Sequence, residues 1–96
     1  GNWDLEQGAR MMEANDWERA IEALEKAVKT GEQKTKGRAA HNLAIVHEIL
    51  GDLEKAKQWA SDAWGLYGNK DSRDYGYILT RRLNAQKRLN KQPREN

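Results

Sequence analysis

Apolar residues recur every three or four positions along almost the whole chain, which is the spacing of one face of an α-helix. Two stripes are especially regular, one within residues 17–30 and one within residues 53–67. Their members are Trp17, Ala20, Ile21, Leu24, Ala27 and Val28 in the first, and Leu53, Ala56, Ala60, Ala63, Trp64 and Tyr67 in the second. No segment alternates with the period of two that a half-buried strand shows. The pattern therefore predicts an all-α protein.

Both striped helices carry signals at their ends. Asp16 and Asp52 precede them and are predicted N-caps, because an Asp side chain can accept a hydrogen bond from a free backbone N–H of the first turn. Gly31 is the predicted stop of the earlier helix, and Gly65 or Gly68 that of the later one.

A further helix is predicted before each striped one, over residues 3–13 and 37–50. The stretch between the two pairs, residues 30–37 (TGEQKTKG), is polar with a glycine near each end and is expected to be a loop.

A fifth helix is predicted to begin near Asp71 or Ser72. Its expected buried stripe is Tyr75, Ile78, Leu79, Leu83, Gln86 and Leu89. Pro93 should end it, because proline lacks the N–H that a helix interior requires. Residues 91–96 are then expected to be a flexible basic tail.

The two striped segments repeat each other at an offset of 36 residues, as NDWERAIEALEKA (15–27) and GDLEKAKQWASDA (51–63) show. Small residues recur at the same offset, including Ala20 with Ala56, Ala27 with Ala63, and Gly8 with Ala44. Small side chains let two helices approach closely, so Gly8 is expected to meet Ala20, and Ala44 to meet Ala56.

This arrangement resembles the tetratricopeptide repeat (TPR), a helix-turn-helix unit of about 34 residues. The likeness covers residues 2–90 and implies a TPR-like α-α superhelix. Its parts would be two helix-turn-helix repeats, residues 2–35 and 37–70, and a C-terminal capping helix over 72–90, all within one domain of residues 1–90. Gln7 stands where the family usually has Leu. The alternative is an unrelated five-helix bundle with accidental internal similarity.

The resemblance also implies a concave surface, lined by the first helix of each repeat, that holds a peptide or a protein. The residues expected there are Leu5, Ala9, Met12, Glu13, Arg38, His41, Asn42, Ile45, Glu48, Ile49, Tyr75, Leu79 and Arg82. Some TPR domains grip a C-terminal carboxylate with a Lys/Asn clamp. Asn42 matches one clamp position, but Leu5 and Ala9 stand where a Lys and an Asn would be, so that mode is not expected.

The segment HNLAIVHEILGDLEKAKQWASDAWGLYGNK (41–70), followed by YGYILTRRL (75–83), is similar to the C-terminal part of bacterial cell-envelope lipoproteins of unknown function that carry TPR repeats. This likeness implies a bacterial protein of the cell envelope whose lipidated N-terminal region precedes the present sequence. Without it, the cytoplasm is the expected compartment.

Composition places the chain among soluble globular proteins, with 33% charged and 38% apolar residues in 96 positions. It has no cysteine, which excludes disulfides and thiolate chemistry. No apolar run is long enough to span a bilayer.

The net charge of +2 is unevenly distributed, from −3 in residues 1–35 (five basic, eight acidic) to +4 in residues 71–96 (seven basic, three acidic). The basic end contains Arg81, Arg82, Lys87, Arg88, Lys91 and Arg94. It could contact phosphates or anionic lipid headgroups, or simply be the solvated outside of the capping helix. Nucleic-acid binding is not expected, because aromatic residues are not interleaved with this cluster as a base-stacking surface requires.

No set of residues predicts catalysis or a cofactor. His41 and His47 are six residues apart on one helix and therefore point to different sides, with no third metal ligand beside them. Sequence motifs for nucleotide binding or hydrolysis are also missing. A metal site, a cofactor and an enzymatic activity are therefore not expected.

The sequence thus favours a non-enzymatic scaffold for protein–protein interaction whose partner it does not identify. The alternative is a structural brace or homodimerisation domain of a larger cell-envelope protein, acting through apolar surface near Trp3. Trp17 and Trp64 are expected in the core, and Trp59 is expected to be partly exposed.

Overall fold

The computed structural model describes residues 2–91, which form five α-helices. They are α1 (Asn2–Glu13), α2 (Trp17–Thr30), α3 (Gln33–Ile49), α4 (Leu53–Gly65) and α5 (Lys70–Lys91). No strand occurs among these residues, so the prediction of an all-α protein is confirmed. The predicted tail beyond position 91, with Pro93 and Arg94, lies outside the described residues.

Each helix packs mainly on its neighbours in the chain: α1 on α2, α2 on α3, α3 on α4, and α4 on α5. Helices α1 and α3 are also in contact. The molecule is correspondingly elongated, with extents of 54 × 27 × 17 Å. The apolar face of each helix is therefore covered by the next helix in the chain.

The core consists of two clusters. One joins α2 to α3 and contains Ala20, Leu24, Ala27, Ala39, Leu43 and Val46. The other joins α3, α4 and α5 and contains Ala44, Ala56, Ala60 and Leu79. Trp59 is half-buried, as predicted, and packs against both.

Alanine dominates this core, since eight of the thirteen buried apolar residues are alanines with no exposed area. Ala20 and Ala56 are among them, so the prediction that these repeated small residues face neighbouring helices is confirmed. Ala44 and Ala56 share a cluster, as expected.

Gly8 packs tightly on Leu24 of α2. A Cβ placed on Gly8 would lie 2.5 Å from Cδ2 and 2.6 Å from Cγ of Leu24, which provides the nearest atoms. A contact of Gly8 with Ala20, one helical turn before Leu24, stays a prediction. Leu24 is fully buried, so its side chain occupies the space that the missing Cβ of Gly8 leaves open.

The α1–α2 and α3–α4 turns have the same backbone geometry. One residue in each is left-handed, Asn15 with φ 59° and Gly51 with φ 85°. The N–H of the next residue, Asp16 or Asp52, donates to a carbonyl five residues earlier at 2.8 Å in both turns. This is the Schellman pattern that satisfies the last carbonyls of a helix. The 36-residue sequence offset is therefore also an offset in local structure.

The same two aspartates cap the following helices. The carboxylate of Asp16 accepts from the Arg19 N–H at 3.3 Å, and that of Asp52 from the Lys55 N–H at 3.1 Å. The predicted N-caps are confirmed, and Gly31 is confirmed as the C-cap of α2.

The loop predicted over residues 30–37 is wrong in extent. Helix α2 includes Thr30 and α3 begins at Gln33, four residues before the predicted start, which leaves Gly31 and Glu32 as the connection.

Contacts with distant residues explain the longer α3. The hydroxyl of Thr35 donates to Oδ1 of Asn2 at 2.7 Å, and the side-chain amide of Gln33 donates to the Leu66 carbonyl at 2.7 Å. Thr35 and Gly37 are both buried. These tertiary contacts outweigh the weak helix propensity of threonine and glycine.

Helix α5 begins at Lys70, one residue before the predicted start, and only part of its predicted stripe is buried. Leu79 and Leu83 are buried, whereas Ile78, Gln86 and Leu89 are exposed. Lys87 pairs at 3.2 Å with Glu54, which is in the first turn of α4. The last residues of α5 therefore extend beyond the N-terminus of the shorter α4.

Trp64 was expected in the core but is 40% exposed. It lies in the last turn of α4, and the following helix covers it only in part: the guanidinium carbon of Arg73, on α5, lies 5.5 Å from its ring centroid. Trp17 is half-buried against the first cluster.

Two helical glycines provide a matched test of the close α1–α2 contact. A Cβ on Gly65 would meet no atom within 4 Å, whereas one on Gly8 would overlap Leu24. We expect Gly8→Ala to be less stable than Gly65→Ala by about 1–3 kcal/mol, the usual cost of overpacking a core. Urea denaturation measures the free energy of unfolding of each variant. Equal stabilities would contradict a tight contact at Gly8.

Candidate interaction surface

The thirteen residues expected to contact a ligand fall into different environments in the structure. Leu79 has no exposed area and packs with Ala44, Ala56 and Ala60. It is therefore part of the core and does not line a binding surface. The sequence places Leu79 both in the buried stripe of α5 and on the ligand surface, and its burial agrees with the first assignment only.

Four more of the thirteen are engaged in contacts between α3 and α5. The Tyr75 hydroxyl donates to Oε1 of Glu48 at 2.5 Å, and the Arg82 guanidinium forms an ion pair with Oε2 of the same carboxylate. Burial raises the pKa of Tyr75, so its hydroxyl keeps its proton at neutral pH. Glu48 thus holds the two helices together with both of its oxygens.

His41, the fourth of these residues, takes part in a second link between the same helices. Its Nδ1 lies 2.7 Å from the hydroxyl oxygen of Ser72, which in turn donates to Oδ1 of Asn69 at 3.1 Å. A serine hydroxyl has one hydrogen, so when it donates to Asn69 it accepts from Nδ1–H of His41. The Tyr75 ring meets His41 edge-on at 5.4 Å between centroids. The Ser72 side chain is fully buried, and this network satisfies it.

The remaining eight of the thirteen residues retain exposed area. Glu13, Arg38 and Ile49 are exposed. The half-buried ones are Leu5, Ala9, Met12, Asn42 and Ile45, and of these Leu5 and Met12 pack against the α2–α3 cluster. Their role as ligand contacts stays a prediction.

Helices α3 and α5 run in the same direction, because His41 is beside Ser72 while Glu48, further along α3, is beside Tyr75 and Arg82. By helical periodicity, the side of α3 that contains Ile45 and Ile49 then faces the same way as the side of α5 that contains Ile78, Arg81 and Ala85. Ile49 and Ile78 are each 53% exposed. Apolar side chains from two helices are thus presented on one side of the molecule.

The residues of α5 on this side are not among the thirteen expected from the sequence. The 36-residue offset takes Asn42, Ile45 and Ile49 to Ile78, Arg81 and Ala85. Applying the repeat period to the predicted ligand residues of α3 would have identified them, in place of the buried Leu79. Ile78, Arg81 and Ala85 line a shallow depression on α5 together with Arg82, Asn84 and Arg88.

A second depression, of about 180 Å³, lies between α4 and α5. Ala60 and Gly76 approach each other at its base, where a Cβ on Gly76 would lie 3.8 Å from that of Ala60. Trp64, Tyr77 and Arg73 contribute to its lining. None of these lining residues is among the thirteen expected from the sequence to contact a ligand.

The histidines show no arrangement for metal binding. Within residues 2–91, no group of three or more histidine, aspartate or glutamate side chains could hold a metal ion. His47 is buried on α3, and this burial lowers its pKa, an effect that Lys55 reinforces and Asp52 and Glu25 oppose. None of the described helices has the length and apolar character needed to cross a bilayer.

Burial also lowers the pKa of His41, with Asp71 opposing the shift. A histidine whose pKa is lower in the folded state binds more protons in the unfolded state, so protonation favours unfolding. Its favourable contribution to the free energy of unfolding is therefore complete above pH 6.5 and is lost as the pH falls towards the folded pKa. We expect the free energy of unfolding to decrease from pH 7.5 to pH 5.5. The double variant His41→Gln/His47→Gln, which has no histidine, should show a smaller decrease. Urea denaturation across this range measures both, and identical slopes would contradict the assignment.

The chain was also compared with known proteins. The family described as Domain of unknown function (DUF6340) matches residues 6–88, a stretch that includes part or all of each of the five helices. No curated protein and no solved structure matches the chain. Since the match covers most of its length, the chain belongs to the DUF6340 family, whose function is unknown.

Proposed function

We propose that this chain is a non-enzymatic TPR-like module that binds a peptide or protein partner. The binding surface would be formed by the first helix of each repeat, α1 and α3, and by the capping helix α5. We call the part contributed by Ile45, Ile49, Ile78, Arg81 and Ala85 the α3–α5 face.

The packing order supports the repeat architecture. In a TPR-like superhelix each helix packs on the next, and the first helices of successive repeats lie side by side. Here α1 contacts α3, and α3 is bonded to α5 through His41 and Glu48. The two identical turns, 36 residues apart, are a further feature of such a repeat.

Exposed aliphatic residues on the α3–α5 face support the proposed binding of a partner. Ile49 and Ile78 each keep about half of their surface in contact with solvent, and Ile45 beside them is only half-buried. Grouped exposed apolar side chains are typical of surfaces that bind another molecule. On the α3–α5 face they have polar neighbours in Arg38, Asn42 and Arg81, which suits a partner with both apolar and polar groups.

A structural role is the second candidate, and Trp3 favours it. This tryptophan is 68% exposed on the first turn of α1. An aromatic side chain with that exposure suits a contact with another domain or with a second copy of the chain. Concentration-dependent sedimentation that Trp3→Ser abolishes would distinguish this role from peptide binding.

A selection for binding peptides tests the α3–α5 face even though the natural partner is unidentified. We expect peptides selected from a random display library on the wild-type chain to bind Ile49→Ser/Ile78→Ser at least tenfold more weakly. Both side chains are more than half exposed, so the loss would reflect lost contacts rather than unfolding. Fluorescence anisotropy with labelled peptides measures the affinities.

Leu66→Ser is the matched control, because Leu66 is 60% exposed and follows α4 on another part of the molecule. It should leave the affinities unchanged. Failure to select any binding peptide would contradict the proposed function, and equal affinities for the double variant and the control would contradict the proposed location.

A further inference from the structure

The C-terminal part of α5 has an unusual charge composition. Residues 75–91 contain five basic side chains and no acidic one. Two of the five are matched by carboxylates from other helices, Arg82 by Glu48 and Lys87 by Glu54. Within residues 2–91, Arg81 and Arg88 form no ion pair.

Arg81 and Arg88 share one side of α5 with two apolar residues. Arg81 and Arg88 are seven residues apart, and so are Ile78 and Ala85. The members of each pair are therefore separated by about two turns, or about 10 Å along the helix axis. All four line the same shallow depression. The surface therefore presents an apolar strip next to a strip of positive charge, and we call it the Ile78–Arg88 face.

Helix stabilisation does not account for this pattern. Cations favour the helix macrodipole only in the last turn. Arg88 is in the last turn of α5, but Arg81 lies ten residues before its end.

We infer that the Ile78–Arg88 face binds an acidic, amphipathic helical segment of a partner protein. Aliphatic side chains of that segment would pack on Ile78 and Ala85, and its carboxylates would accept paired hydrogen bonds from Arg81 and Arg88. Arginine suits this role because its planar guanidinium matches the two oxygens of a carboxylate.

The inference deepens the proposed function, on which it rests, by giving the partner a charge and a shape. An acidic peptide explains both features of the face, since it uses the exposed isoleucine as well as the arginines. A phosphate backbone would leave Ile78 without a contact. The two-turn apolar strip is also short for an amphipathic helix that inserts into a membrane surface.

The test uses a labelled 15-residue probe peptide with Leu at every third or fourth position and Glu on the flanking positions. A twin peptide carries Lys in place of each Glu. We expect the acidic peptide to bind the full chain in a fluorescence anisotropy titration and the Lys twin not to bind. Arg81→Gln/Arg88→Gln should weaken the acidic peptide at least tenfold, as should raising NaCl from 50 to 500 mM.

The matched control is Lys57→Gln/Arg73→Gln, which removes the same charge at the α4–α5 groove. It should retain most of the affinity. Equal weakening by the two double variants would overturn the inference, because binding would then depend on net charge alone. Tight binding of the Lys twin would overturn it as well.

Two further outcomes separate this inference from the proposed function. Phosphatidylserine vesicles or single-stranded DNA that bind more tightly than the acidic peptide, and lose binding in Arg81→Gln/Arg88→Gln, would overturn the inference in favour of an anionic surface. Library peptides that depend on Ile49 and Ile78, but are not acidic and ignore the loss of Arg81 and Arg88, would overturn the inference while supporting the proposed function.

Discussion

The close approach of helices at buried alanines is the constraint on which the rest of the structure depends. Ala20, Ala27 and Ala39 lie between α2 and α3, and Ala44, Ala56 and Ala60 between α3 and α4. A single methyl group at each position lets neighbouring helices pack in contact along their length. Because no helix pair can cover its own apolar face, each depends on the next one, and the molecule is elongated rather than spherical.

This packing also determines which side chains of α3 and α5 are exposed on the surface. Helix α3 packs on α2 and α4 and also contacts α1. Side-chain hydrogen bonds join it to α5. The contacts of Glu48 and His41 fix α5 beside α3 in a parallel orientation. Ile45 and Ile49 then lie beside the contact between α3 and α5, on the same side of the molecule as Ile78. The polar network that joins the helices is therefore what brings the apolar residues of two helices onto one face.

Local signals in the sequence predicted the local structure well. Asp16 and Asp52 cap their helices, and Gly31 ends α2, because these effects act within a few residues. The start of α3 could not be found in the same way. Thr35 is helical and buried in part through its bond to Asn2, which is 33 residues away in the chain.

The candidate surface was predictable only in part. Periodicity alone could not distinguish Ile78 from Leu79, since both are apolar and adjacent, and which of them is buried depends on how α5 is rotated about its own axis where it packs on α4. The position of Trp64 shows the same dependence: its stripe is apolar, but beside Arg73 of α5 its side chain is still 40% exposed. The repeat offset was the stronger signal, because it transfers the environment of one helix to its counterpart in the next repeat.

Inserting a larger side chain at one of the buried alanines shows whether close helix approach there stabilises the fold. Ala56 has no exposed area, and Gln58, two residues along the same helix, is exposed. Urea denaturation of Ala56→Leu and Gln58→Leu compares the same new side chain inside and outside the helix contact. We expect Ala56→Leu to lower the free energy of unfolding by about 1–3 kcal/mol and Gln58→Leu to change it by less than about 0.5 kcal/mol. Equal stabilities for the two variants would contradict it.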